Sequence, residues 1–306
     1  MKILITGGAG YIGTALVTEL SASNRVEEII VYDNLSRPNF NMFLGSSLPE
    51  GNKVRFVMGD LLDTRRLRKE MKGADIVYHL AAKVTTPFAN HDPHSFEQIN
   101  HWGTAELVYA AEDERVDKLI YLSSTSVYGA TDEEVDEHSP TEAKTYYGLS
   151  KLRGENHVQR LADKTNTLIV RCGNVYGYNR SMRFDAVINR FMFDAHFRKR
   201  ISINGNGKQT RAFIHIDKAA ATLAAMVIAD VPGGTYNLVD KNLQVLDIVD
   251  VLKDMYPDLE FIFVDQHADL RELKVKPSEL LSDIPPFNTV SDLYSELQNF
   301  SKRFAF

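Results

Sequence analysis

Gly7, Gly10 and Gly13 stand three residues apart, between a short apolar run, Lys2-Ile3-Leu4-Ile5-Thr6, and a helix-forming stretch over residues 11–20. A glycine run carries meaning only in such a strand-turn-helix setting. There Gly7 permits the tight turn, Gly10 lets backbone approach a pyrophosphate at the helix N-terminus, and Gly13 lets the helix pack on the strand. Tyr11 and Ile12 open that helix and count with the glycines as expected cofactor contacts. The spacing is G-x-x-G-x-x-G, not G-x-G-x-x-G.

Strands and helices then alternate. Apolar runs place strands near 2–6, 28–33, 54–59, 75–80, 118–123 and 168–172, with helices between most of them, including 95–113 and 145–164. That alternation builds an α/β fold, a right-handed, doubly wound parallel sheet of the Rossmann type. Ligands of such sheets bind at the carboxyl ends of the strands, so candidate residues are sought there.

Asp33 closes the second strand and is followed by Asn34. An acid at this point accepts hydrogen bonds from an adenosine ribose and repels a 2′-phosphate, which favours NAD over NADP. Arg37 is the cation that would accommodate that phosphate instead. Asp60, with Leu61 after it, ends the next run and would reach the adenine amino group, cap a helix or stand as an exposed loop acid. Ala81 and Ala82 are small enough to let a cofactor lie across the fourth strand, and Lys83 beside them could reach its phosphates.

Ser124 ends the fifth strand, and Tyr147 and Lys151 lie four residues apart on one face of the following helix. A cation near the phenol favours the phenolate, so Tyr147 would serve as an acid/base near neutral pH. The hydroxyl of Ser124 would bond the same substrate oxygen.

A net charge of −6 leaves no basic footprint for nucleic acid. The single cysteine, Cys172, excludes an internal disulfide and fits a reducing, cytoplasmic compartment. No apolar run approaches membrane-spanning length. His91-Asp92-Pro93-His94 reads as a polar loop entering a helix rather than a metal site, so no metal is expected. Beyond Arg171 the pattern becomes mixed; two pieces, 213–229 and 235–239, look sheet-associated within a discontinuous second lobe.

Taken in order, Gly7 to Gly13, Asp33, Asp60, His79-Leu80-Ala81-Ala82, Asn100 before Gly103-Thr104, Ser124 with Val127-Tyr128-Gly129, Tyr147 with Lys151, and Arg171 to Gly177 form a recognisable series. Gly205-Asn206-Gly207, Arg211 and Phe213-Ile214-His215 complete it. With these motifs the chain resembles an extended short-chain dehydrogenase/reductase of the NAD-dependent epimerase/dehydratase type, most like a nucleotide-sugar 4-epimerase. The resemblance implies an NAD-binding Rossmann domain of residues 1–172 plus about 212–240, and a nucleotide-sugar lobe of about 173–211 plus 241–306. It implies that Asn100 borders the cofactor, that Lys151 holds the nicotinamide ribose, and that Asn174, Arg211 and Arg271 bind a sugar-nucleotide diphosphate. Dehydratases of this type carry an Asp-Glu pair before the Val-Tyr-Gly, where this chain has Thr125-Ser126, so epimerisation is expected over elimination. A 4-ketosugar reductase and a non-catalytic dinucleotide sensor are the alternatives. A homodimer is implied too, through helices 95–113 and 145–164, with Leu107, Val108 and Leu161 as spare apolar positions.

Overall fold

The computed structural model describes residues 1–37, 42, 53–84, 92–229, 231–265, 272–282, 284–285, 287 and 291–304. The chain runs β1 (Lys2–Thr6), α1 (Tyr11–Ser21), β2 (Glu28–Asp33), β3 (Val54–Met58), α2 (Thr64–Met71) and β4 (Ile76–His79). Next come α3 (Pro93–Phe96), a π-helical turn (Glu97–Trp102), α4 (Gly103–Glu114), β5 (Lys118–Ser124), β6 (Glu134–Val135), α5 (Tyr146–Arg160) and β7 (Asn166–Cys172). The remainder is β8 (Asn174–Tyr176), α6 (Val187–Arg198), β9 (Arg200–Asn204), β10 (Thr210–His215), α7 (Ile216–Ile228), β11 (Gly234–Leu238), β12 (Lys241–Gln244) and α8 (Val245–Met255). β13 (Glu260–Val264), β14 (Lys274–Val275), α9 (Glu279–Ser282) and α10 (Leu293–Ser301) close the chain.

Seven strands form one parallel sheet in the order β11-β7-β5-β4-β1-β2-β3. The strand order reverses beside β1, which creates the crevice where such sheets take ligands. Six of these strands lie where the apolar runs placed them; the inner ones, buried on both faces, read as near-continuous apolar runs, and the edge strand β3 is interrupted by the exposed Arg55. α1 and α7 cover one face through Leu16, Val17, Leu20, Ala219, Leu223 and Met226. α2, α4 and α5 cover the other through Leu67, Met71, Leu107, Val108 and Val158.

The segment 213–229 differs from its sheet-like reading. Only its start belongs to a strand, and Ile216–Ile228 is helix α7. Its five alanines, Ala219, Ala220, Ala221, Ala224 and Ala225, favour helix over the pleated alternative. β10 joins the small sheet β12-β10-β8, and β13 pairs with β9. A separate core of Phe191, Met192, Ile201, Ile203, Phe213, Ile248 and Phe300 holds this second part together.

Candidate active site

The glycine turn is shaped by what a side chain would strike. Gly7 has φ +72°, and a Cβ there would lie 2.5 Å from the Ala81 nitrogen. At Gly13 it would lie 2.4 Å from the Gly7 carbonyl oxygen. These two glycines are needed by the fold itself. Gly10 is different, since its only near contact is that same oxygen at 3.1 Å. It stands at the start of α1, where no side chain caps the helix. Uncapped N–H groups next to open space suit a phosphate.

Asp33 is bolted to this turn: Ala9 N donates to Oδ2 at 3.0 Å and Leu35 N to Oδ1 at 2.9 Å. Burial raises its pKa, and these two bonds oppose the rise. Asn34 donates to the Asp60 carboxylate at 2.8 Å, and Tyr32 donates to the Asp60 carbonyl at 2.8 Å, so the ends of β2 and β3 form one rim. Asp60 is exposed and is not a helix cap; Asp63 caps α2, accepting from Arg66 N. The side chain of Leu61 is buried in the core beside Val57, Leu67 and Leu107, which leaves its backbone as the part that could meet a cofactor.

The loop after β4 touches the glycine turn through Ala81. Ala82 and Lys83 follow, and Asn100 holds that loop in place. Asn100 is fully buried on the π-helical turn; it accepts from Lys83 N at 2.8 Å and donates to Lys83 O at 3.1 Å and to Ser150 Oγ at 3.0 Å. Its bonds therefore tie the loop after β4 to α5. His91 lies outside the described residues, while Asp92 caps α3, accepting from Ser95 N.

Thr145 caps α5 by accepting from Gly148 N at 3.0 Å. A Cβ at Gly148 would lie 2.6 Å from the Ser126 carbonyl oxygen, so glycine lets the helix start press onto the turn after β5. That contact sets the start of α5, and with it Tyr147, against the turn that follows Ser124. Tyr147 is buried with the Phe96 ring edge-on at 6.1 Å. Lys151, 2% exposed, sits with Nζ 4.2 Å above the centre of the Tyr121 ring.

The electrostatics differ from the sequence expectation. Burial raises the Tyr147 pKa, and the neighbouring Ser124 hydroxyl and the Arg183 charge oppose the rise. Burial also pushes Lys151 down to about 7 against the pull of Glu155. Both groups have lost water, and a lysine near neutrality is a weak partner for a phenolate.

Sequence reasoning missed the support behind this pair. Arg171 grips the buried Glu155 at 2.8 and 3.1 Å, and donates to the Tyr128 hydroxyl at 3.0 Å. It also missed the segment between β8 and α6. There the Tyr11 hydroxyl donates to Gly177 O, Thr14 and Ser181 hydroxyls meet at 2.9 Å, and Arg183 donates to Val84 O at 3.2 Å. On the small sheet Asn174 donates to Ala212 O at 3.0 Å, and Arg211 donates to Thr210 O at 2.9 Å on the strand paired with it. Arg271 lies outside the described residues.

Residues 3–238 match the family model described as the NAD dependent epimerase/dehydratase family. The chain belongs to this family. Like its relatives, this family member uses NAD, and the glycine turn, the uncapped helix start and Asp33 fit that cofactor. It is 31% identical over 244 residues to human dTDP-D-glucose 4,6-dehydratase, covering 78% of this chain and 68% of that one. It is 29% identical over 264 residues to the uncharacterized UDP-glucose epimerase YtcB of Bacillus subtilis, covering 83% and 82%. Among solved structures, UDP-glucuronic acid 4-epimerase from Bacillus cereus, in complex with UDP-glucuronic acid and NAD, superposes with a TM-score of 0.88 at 26% identity over 100% of both chains. DesIV, a dTDP-glucose 4,6-dehydratase from Streptomyces venezuelae, shares the fold with a TM-score of 0.85 at 23% identity over 99% and 97% of the two chains. This epimerase/dehydratase family member has, among the described residues, no helix long and apolar enough to cross a membrane.

Proposed function

We propose that the protein epimerises C4 of a nucleoside-diphosphate sugar through a transient 4-keto sugar. Bound NAD supplies the hydride acceptor and then the donor. Tyr147 takes the proton of the 4-hydroxyl and returns it to the same oxygen after the keto sugar has turned over, so that the hydride comes back to the opposite face of C4, while the neighbouring Ser124 hydroxyl would orient that oxygen. Lys151 is buried next in line on α5, where it would hold the nicotinamide ribose. Asn174 and Arg211, on paired strands of the small sheet, would hold the diphosphate, to which an Arg fork is suited. Residues 1–172 with about 212–240 would carry the cofactor and the rest the sugar nucleotide, except that β10 itself belongs to the small sheet.

The observation that carries epimerisation is the turn after Ser124. Thr125 is buried there and Ser126 N donates to Ser124 Oγ, so the two positions next to the catalytic hydroxyl hold no carboxyl group for elimination. Kinship with 4,6-dehydratases favours a second reading, water elimination across C5 and C6. Turnover of UDP-, dTDP-, GDP- and CDP-sugars in deuterium oxide separates the two. Epimerisation yields the C4 epimer without carbon-bound deuterium, whereas elimination yields a 4-keto-6-deoxy sugar labelled at C5.

We also infer a homodimer, on a changed basis. Leu107, Val108 and Leu161 are fully buried in the chain's own core and are not spare. The exposed aromatics on these helices are Trp102, Tyr109 and Tyr146, 57, 44 and 42% exposed.

A further inference from the structure

Arg37 is the only Lys or Arg between Asp33 and Lys53, and thus the cation that this stretch offers to a 2′-phosphate. Its guanidinium is already taken. Nη2 lies 3.1 Å from Oδ1 of Asp185, which comes from the segment between β8 and α6, 148 residues away. The same carboxylate is forked by Arg183 at 2.6 and 3.2 Å. An ion pair with one half-exposed partner is weak on its own. Asp185, however, is not a free surface acid, because its segment is pinned to the NAD half at Tyr11 to Gly177, Thr14 to Ser181 and Arg183 to Val84. Asn189 braces the segment itself, accepting from Gly177 N and donating to Arg183 O, and adds one more tie by donating to the Tyr11 hydroxyl at 3.3 Å. The carboxylate stays charged: burial works against it, but Arg183 and Arg37 hold it down at about 2.

We propose that Asp185 is a positioning residue for cofactor choice, which holds Arg37 away from the ribose end of Asp33 and so withholds the one local cation from a 2′-phosphate. NAD specificity then comes from two carboxylates, Asp33 at the end of β2 and Asp185 between β8 and α6. This rests on the placement of the adenosine ribose at Asp33.

The test equilibrates the purified protein with equal NAD and NADP, removes free nucleotide, denatures the protein and measures the ratio released. Asp185→Asn should raise the NADP share on the order of tenfold, the scale of one charge-assisted hydrogen bond, and adding Arg37→Ala should cancel that rise. A merely structural Asp185 would lower retention of both nucleotides without changing the ratio. Should Asp185→Asn fail to fold, Arg37→Ala alone decides: an unchanged ratio supports the proposal, and a loss of NADP shows that Arg37 already serves phosphate and overturns it. Asp33→Ala is the control. If it leaves the ratio unchanged, the ribose placement fails; if it shifts the ratio while Asp185→Asn does not, that placement stands and this proposal falls.

Discussion

Replacing Lys151 with Met should make the protein more stable while abolishing its chemistry. Lys151 is 2% exposed with its ammonium over the Tyr121 ring, and burial holds it at about 7 against an ordinary 10.5. At about 1.4 kcal/mol per pKa unit, keeping it in the fold at pH 7 costs on the order of 4 kcal/mol if the whole shift is expressed. Relaxation and water penetration reduce such figures, so a gain of about 2 kcal/mol is expected from a methionine of similar length. The sign follows from linkage. The folded value lies below the unfolded one, so between about pH 7 and 10.5 the unfolded chain binds more protons, and wild-type stability rises across that window. The variant lacks this slope. Urea unfolding of nucleotide-stripped proteins should therefore show an advantage near its full size at pH 7 that fades by about pH 10. A variant less stable than wild type at pH 7, or an advantage that ignores pH, would refute the reasoning.

Tyr147→Phe should retain fold and NAD content but lose turnover by about 10²- to 10⁴-fold, the worth of a positioned acid/base; near-normal rates would remove the phenol from the mechanism. Gly10→Ala should fold and yet release NAD, because a Cβ there meets little but the space a phosphate would fill. Gly13→Ala should instead lower the unfolding midpoint, since its Cβ would sit 2.4 Å from the Gly7 carbonyl oxygen; equal behaviour of the two variants in calorimetry would contradict this division of roles.

The large sheet was readable because each of its buried strands is a short apolar run ending at a turn. The second part was not. β9 alternates buried and exposed residues as Arg200-Ile201-Ser202-Ile203-Asn204, and β13 is an apolar run whose Ile262, Phe263 and Val264 stay more than a third exposed; each reads as a strand, but their pairing with each other is set by the tertiary fold. Ser124, Tyr147 and Lys151 were singled out by local spacing, and the fold puts Tyr147 and Lys151 together on the buried side of α5. Glu155 with Arg171, and Asp185 with Arg37, meet only through the tertiary fold, and nothing near either partner in the sequence points to the other. Leu107, Val108 and Leu161 misled for a related reason: a helix lying on a sheet beside other helices buries more than one apolar stripe.

Helix α5 shows why the site could be found at all. The side it buries carries Tyr147, Gly148, Ser150, Lys151, Gly154, Glu155 and Val158, where a helix built for stability would carry Leu or Ile. Local rules broken on a buried face mark function when the surroundings compensate for them. Here they do. Asn100 donates to Ser150, Arg171 and Ser123 bond Glu155, and Tyr121 fits over Gly154, whose Cβ would collide with its hydroxyl. Lys151 is the exception. It has an aromatic face and the charge of Glu155, a carboxylate already committed to Arg171. An ammonium left with so little in the protein is kept for a ligand, and the polar ribose of bound NAD is the group that would complete it. The same incompleteness makes Lys151→Met stabilising in the stripped protein and should make NAD stabilise the wild type more than the variant, because only the wild type has a charge waiting to be solvated.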